Sequence, residues 1–244
     1  MSVQSDLVQG SKEWHQWRSG GIGASEVAIV LGVSPFKTRF QLWLEKCKIA
    51  KAAPAHPNAV KAMTRGTLLE PEIRAWYERK TGRKATPCTR AHPEYPFMLA
   101  SYDGITDDGR NVEIKASGKA DHSAAKKGKV SAKYIAQVQA QMAVAGLEVT
   151  DYVSHSGERD LATGQLSDEG GAIVEVRADK EHQQKIIESV SWFWNLVQKR
   201  TPPDVDMKDM DDLVQLLAKQ QQEIAETMAA LEIVTNSLLM SEAA

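Results

Sequence analysis

The sequence predicts a mixed α/β fold, α+β-like in character, with a mixed central β-sheet flanked by helices and a C-terminal amphipathic helix. Three observations predict it. Strand-like runs recur at 97–103, 110–116, 149–156 and 171–177. Helical periodicity fills the stretches before and between them. The order of helices, hairpin, helix and return strand places helices against a sheet that is not wholly antiparallel.

Taken in order, Ser25 to Gly32 reads as a short helix with Gly32 as its stop. Thr38-Arg39-Phe40-Gln41 has capping-box form and starts a second helix through about Lys48. Ala50 to Asn58, rich in Ala and Pro, reads as a linker. A long helix follows from about Ala59 to Lys80, closed by Thr81-Gly82. Pro71 should kink or restart it, because proline removes a backbone hydrogen bond.

The first two strands form a hairpin whose turn is Asp107-Asp108-Gly109. A helix from about Ser131 to Ala145 separates that hairpin from the third strand. Another, about 179–200, ends at Pro202-Pro203. Residues 1–203 read as one domain, and 204–244 as an acidic linker and a coiled-coil-like helix. Between Asp204 and Asp212 there are five Asp against one Lys. After them Leu213, Leu217, Gln220, Ile224, Met228, Leu231, Val234 and Leu238 recur at three- and four-residue spacings. That stripe suits docking on its own domain as well as it suits self-association or a partner helix.

Composition narrows the function. A chain of 244 residues with 42% hydrophobic and 25% charged residues is ordinary for a globular protein. Its formal charge of −2 gives no whole-protein attraction to nucleic acid, so any DNA-binding surface must be local. Cys47 and Cys88 make neither a disulfide framework nor a zinc spacing. The six histidines form no metal-binding pair. No signal core or membrane-length apolar run is visible, so a cytoplasmic location and no membrane partner are expected.

The chemistry concentrates in the hairpin. Alternation puts Glu113 and Lys115 on one strand face and Val112 and Ile114 on the other. The turn folds Asp103 back beside them. Two hard carboxylates converging on one point suit Mg²⁺, and an ammonium beside them suits a phosphate or an attacking water. That is the arrangement of metal-assisted phosphodiester hydrolysis. The bland alternative is a hairpin with a solvated Glu-x-Lys face.

Other segments add to it. Glu70 lies among apolar residues of the long helix, either as a partly buried acid or as the i,i+4 partner of Arg74. Six lysines (115, 119, 126, 127, 129 and 133) stand against one acid, Asp121, in a loop that reads as a phosphate-contacting strip or a solvated run. Tyr134, Gln137 and Gln141 share a helical face, from which a glutamine can reach the carboxylates. Near the start, Arg18 precedes Gly20-Gly21-Ile22-Gly23 and a helix beginning at Ser25, an arrangement suited to an anion. Alternatively Ser25 is only an N-cap and Trp14 and Trp17 are core anchors.

Together these blocks resemble the phage lambda exonuclease or YqaJ-type viral recombinase family, within the PD-(D/E)xK nuclease superfamily. The matching segments are Trp17-Arg18 through Ser25-Glu26, Arg65-Gly66 through Glu70, Asp103 with Glu113-Ile114-Lys115, and Tyr134 through Gln139, spanning about residues 14 to 140. The resemblance implies the PD-(D/E)xK fold and a 5′-to-3′ exonuclease on double-stranded DNA. It implies dependence on Mg²⁺, with Mn²⁺ as an alternative and two ions in the site.

It further implies a ring-shaped homotrimer and a single-strand annealing partner that uses the 3′ strand left behind. By position, Asp103, Glu113 and the Ile114 carbonyl would hold metal, and Glu70 would complete the site, if need be through water. Lys115 would act on the attacking water with support from Gln137. Arg18 and Ser25 would bind the 5′-phosphate, and Lys119, Lys126, Lys127, Lys129 and Lys133 the DNA backbone. Pro71 and the coiled tail depart from the lambda-type pattern. An endonuclease of the same superfamily, or a non-catalytic DNA-binding assembly module, is the competing reading.

Overall fold

The structure, a computed structural model, describes residues 3–5, 7–50, 57–205 and 207–242, with side chains left aside at 3–5, 216, 232 and 234–242. The linker reading at Ala50–Asn58 falls mostly on 51–56, outside the described residues. The helices are α1 (Lys12–Ser19), α2 (Val27–Val30), α3 (Arg39–Lys46), α4 (Pro57–Thr81), α5 (Lys119–Lys126), α6 (Ala132–Ala145), α7 (Lys180–Lys199) and α8 (Met210–Glu242). The strands are β1 (Val3–Ser5), β2 (Ile22–Gly23), β3 (Ala85–Ala91), β4 (Met98–Thr106), β5 (Asn111–Lys115), β6 (Val149–His155) and β7 (Gly171–Arg177).

They form one mixed seven-stranded sheet in the order β1-β3-β4-β5-β6-β7, with β2 added in parallel to β4. The β5–β6 pair is parallel, joined by the crossover through α5 and α6, and the other neighbours on the main path are antiparallel. Helices cover both faces. Ile73, Trp76 and Tyr77 of α4 pack on Val112, Ile114 and Val153. On the other side α2, α3, α6 and α7 enclose a core that includes Phe40, Trp43, Tyr102, Ala136 and Phe193.

β4 is the strand that shapes the site. β3 fills one edge of it from Leu99 to Thr106. The other edge is shared, by β2 at Met98 and Leu99 and by β5 at Gly104 and Ile105. Ser101, Tyr102 and Asp103 therefore lie where the sheet divides. Backbone groups freed by that divide need other partners, and side chains supply them.

Several local expectations change. Pro71 does not restart α4, which runs unbroken for 25 residues. One lost N–H is a small loss to a helix held by three buried side chains in the next two turns. The basic segment is a helix, α5, rather than a loop. The segment from Ser25 begins as a 3-10 turn, Ala24–Glu26, followed by a single α turn, and Gly23 occupies the N-cap position rather than Ser25. Gly32, with φ +75°, does end it. Helix α3 has the expected capping box, Thr38 accepting from Gln41 and Gln41 from Thr38.

A buried polar cluster ties the hairpin to β6. Arg110 donates to both carboxylate oxygens of Asp151, at 3.0 and 2.6 Å, and Tyr77 Oη donates to Oδ2 at 2.6 Å. Burial first, and then Asp151, push the Tyr77 phenol well above its ordinary range. Arg110→Ala would leave Asp151, 4% exposed, without its cation. It is expected to cost about 3–5 kcal/mol, whereas losing an exposed partner such as Glu175 costs about 0–1 kcal/mol. Denaturation midpoints of the two variants check the contrast.

Within 204–212, Asp209 is buried and accepts from Thr38 Oγ1, and Asp212 accepts from Gln41 Nε2 at 2.7 Å. The start of α8 is thus fixed to α3.

Candidate active site

Asp103 fills the gap between β4 and β5. Its Oδ2 accepts from the backbone N–H of Ile114 at 2.7 Å, a side chain standing in for a ladder bond. Its own carbonyl accepts from Arg74 Nε at 2.8 Å. Glu113 is 1% exposed and takes three donors: Lys115 Nζ at 2.5 Å and Gln137 Nε2 at 2.7 Å on Oε1, and Gln141 Nε2 at 2.6 Å on Oε2. The alternation expected of β5 holds, since Val112 and Ile114 face the α4 cluster.

The electrostatics describe a site short of positive charge. Burial, then the neighbouring Glu113 carboxylate, raise the Asp103 carboxyl well above its usual range. Burial alone would lower the Lys115 ammonium, but Glu113 and Asp103 outweigh it and raise it above its ordinary value. Lys115 also lies 5.2 Å from the Tyr134 ring centroid. A buried carboxylate beside a half-buried one, with one lysine near both, leaves room for more cationic charge.

Glu70 pairs with Arg74 at 2.5 Å, the i,i+4 alternative raised by the sequence. Its charge still acts on Asp103, so it stands at the rim of the same site. Among the described residues, no group of three or more His, Cys, Asp or Glu that could hold a metal ion is present. The donor chemistry fits a hard divalent cation that takes two carboxylates and a backbone carbonyl and keeps several waters. It does not fit a fully enclosed protein cage.

Arg18 lies beside this centre. Its Nη2 donates to Ser25 Oγ at 3.1 Å and stands 3.6 Å from Glu26 Oε2, and its guanidinium is 5.4 Å from the Trp14 ring centroid. Trp14 Nε1 donates to Ser101 Oγ at 2.9 Å, which places this corner two residues from Asp103 on β4. A Cβ at Gly23 would sit 1.6 Å from Arg18 Nη1, so a side chain there would push the flexible guanidinium from its present place. Glu26 also accepts from Gly23 N at 2.7 Å and pairs with Lys46 at 3.0 Å. Two cations against one acid leave a net positive corner.

The lysines divide. Lys119 and Lys126 on α5 line a cavity of about 480 Å³ with Arg65, Ser117, His122 and Ser156. Lys127 and Lys129 are exposed just beyond α5. Lys133 is held by Asp121 at 3.2 Å and lies over the Tyr134 and Phe36 rings, at 4.6 and 5.3 Å from their centroids. Spacing places Gln141 on the face of Gln137, from which a glutamine reaches the carboxylates, but only Gln137 is given a role from the sequence, and Arg65 is given none. Arg65, inside a matched segment, donates to the carbonyls of Ala116 and Ser156 and so fixes the chain after Lys115.

Comparison with known proteins identifies the family and the fold. The family model described as the YqaJ-like viral recombinase domain matches residues 13–148. The uncharacterized protein YqaJ of Bacillus subtilis (strain 168) is 32% identical over 139 residues, which is 56% of this chain and 43% of that protein. The match thus spans less than half of that relative. Among solved structures, an alkaline exonuclease, LHK-Exo from Laribacter hongkongensis, is 28% identical with a TM-score of 0.65, over 86% of this chain and all of that one. LHK-Exo has also been solved in complex with dAMP. A phage related exonuclease from Haemophilus somnus 129PT, 15% identical with a TM-score of 0.50 over 73% of this chain and 94% of that one, shares the fold. The chain belongs to the YqaJ-like viral recombinase domain family, and its fold is that of these nucleases.

Proposed function

We propose that this member of the YqaJ-like viral recombinase domain family is a metal-dependent deoxyribonuclease. It degrades double-stranded DNA 5′ to 3′ from phosphorylated ends and leaves 3′ single strands for a single-strand annealing protein. The observation that carries the reading is the meeting of Asp103, Glu113, Lys115 and Gln137 where the sheet divides. Likeness to an alkaline exonuclease supports a nuclease.

Asp103, Glu113 and the Ile114 carbonyl would hold Mg²⁺ or Mn²⁺, two ions by the resemblance, with Glu70 completing the acidic set. A bound divalent cation offsets phosphate charge and lowers the pKa of water. Gln137 and Gln141 keep the Glu113 carboxylate in place as Lys115 turns from it toward the phosphate. Lys115 then orients the attacking water and stabilises the charge that develops on the phosphate. The water attacks directly, and no protein nucleophile is required. Lys119, Lys126, Lys127, Lys129 and Lys133 contact the backbone, where each neutralised phosphate steepens the salt dependence of binding.

Arg18 and Ser25 receive the terminal phosphate. Arg18→Ala is expected to slow digestion of 5′-phosphorylated duplex by about ten- to a hundredfold, the worth of one charge-assisted contact. It should also narrow the gap to 5′-hydroxyl duplex. Arg18→Lys restores part of the rate, since an ammonium cannot bind two oxygens at once. Gly23→Ala should mimic Arg18→Ala by displacing the guanidinium. Initial rates on both ends check this, and equal slowing of both would remove Arg18 from the end pocket. A linear duplex should be degraded and a closed circle left intact, which separates this reading from an endonuclease.

A ring-shaped trimer closed by head-to-tail contacts would keep the enzyme on its DNA. Sedimentation should show a species built on the trimer, and a stable monomer would contradict it. Deleting residues 210–244 is expected to leave that ring intact, because the family match ends at residue 148.

A further inference from the structure

Helix α8 is 33 residues long, about 50 Å at 1.5 Å per residue. Its root is fixed by Asp209, Asp212 and Leu213, the last packed against the main core. Every described side chain from Val214 to Ile233 is exposed, including Leu217 (50%), Ile224 (60%), Met228 (62%) and Leu231 (60%). Docking on its own domain therefore stops at Leu213.

Along this exposed stretch Met210, Leu217, Ile224, Leu231 and, in sequence, Leu238 recur every seven residues, with Val214 and Met228 exposed on the flank of the same stripe and Ile233 off it. On a straight helix such a set drifts by about 20° per heptad. Supercoiling about another helix removes the drift, so this period is the mark of a coiled coil. With these five as the a positions, the d positions are Leu213, which is already docked on its own domain, and then Gln220, Thr227, Val234 and Ser241.

The charges say which helix. α8 has six acids and one lysine, which for a foreign partner would require a basic helix. Yet Asp211, Asp212, Lys219, Glu226 and Glu232 all fall on the outer b and c positions. At the flanking e and g positions the acids are Glu242, the last helical residue, and Glu223, whose carboxylate already stands 3.7 Å from Lys219. The seam is otherwise uncharged there, with Val214, Gln221, Met228 and Ala230. A copy of the same helix meets it without like-charge repulsion.

The polar layers set the direction. In a parallel, in-register pair Gln220 faces Gln220 and Thr227 faces Thr227, so the polar groups bond to one another. In an antiparallel pair they would face Leu and Ile at a positions and be buried unsatisfied. We propose that α8 is a self-association element, forming a parallel, in-register coiled coil with the α8 of a second copy of this chain. It acts in addition to contacts between the globular parts, and it does not depend on the nuclease reading.

Cysteine cross-linking of the full chain tests this. Leu231→Cys places the thiol at an a position, where facing copies come within disulfide range. Glu226→Cys places it at c, on the outside. Under mild oxidation the first is expected to give mostly covalent dimer on a denaturing gel. The second and the wild type, which has only Cys47 and Cys88, should stay at background. Adding Ile224→Asp to Leu231→Cys should return it to background with the thermal melt of the globular part unchanged. Cross-linking of Leu231→Cys no greater than that of Glu226→Cys, or undiminished by Ile224→Asp, would overturn the proposal.

Discussion

Asp103→Asn should abolish nuclease activity and at the same time raise the melting temperature in EDTA. The catalytic half follows from the proposal that Asp103 is a hard, charged metal ligand beside Glu113. The stability half follows from the direction of the Asp103 shift. Burial and Glu113 raise its folded carboxyl above the unfolded value. The folded state therefore binds the extra proton, and stability falls as pH rises from about 3.9, the unfolded value, through the folded pKa. At neutral pH that loss already counts against the folded state. An asparagine oxygen can still accept from Ile114 N, so the hairpin keeps its tie. Each kcal/mol recovered should raise the midpoint by about 2–4 °C for a chain of this size. Mg²⁺ should stabilise the wild type and have little effect on the variant. A variant that loses activity and also melts earlier in EDTA would mean that Asp103 is structural.

Lys115→Met should move stability the other way. Removing the ammonium leaves the buried Glu113 and the half-buried Asp103 without their shared cation, a change expected to cost up to about 3–5 kcal/mol, less as far as water screens the site. On catalysis, loss of a group that stabilises the developing charge typically lowers kcat by about 10²–10³ with little change in KM. Excess Mg²⁺ should restore the melting temperature, because it supplies charge to the same carboxylates, yet leave kcat low. Paired melts and single-turnover rates on linear duplex separate the two effects. Full activity in Lys115→Met would confine the residue to holding Glu113.

Much of this site is legible in the sequence because its geometry is local. Strand alternation alone puts Glu113 and Lys115 together, and a two-strand hairpin brings Asp103 to them. Helical spacing puts Gln137 and Gln141 on one face. What they face depends on the divided edge of β4, and that edge is divided because β2, far upstream in sequence, joins the same strand at Met98 and Leu99. The bond from Trp14 to Ser101 is equally non-local.

β3 escapes sequence reading for a local reason. Ala85–Ala91 contains Pro87, which sits where the β3–β4 register shifts, so alternation is broken at the point where it would be counted. Helix α5 escapes because its eight residues are framed by lysines whose solvation says nothing of backbone state. Pro71 misleads in the opposite sense, since the packing of Ile73, Trp76 and Tyr77 outweighs one missing hydrogen bond. In α8 the period was plain, but only the exposure beyond Leu213 separates a docked helix from a projecting one.

The most direct test of the central claim is the initial rate of nucleotide release from a linear 5′-phosphorylated duplex, measured for wild type and Glu113→Gln with Mg²⁺ and with EDTA. Wild type should release nucleotides with Mg²⁺ and none with EDTA, and Glu113→Gln should release none in either while keeping its folded spectrum. Release that survives EDTA, or a folded Glu113→Gln within about tenfold of wild type, a difference of only about 1.4 kcal/mol in barrier, would contradict a metal-dependent centre at Asp103, Glu113 and Lys115.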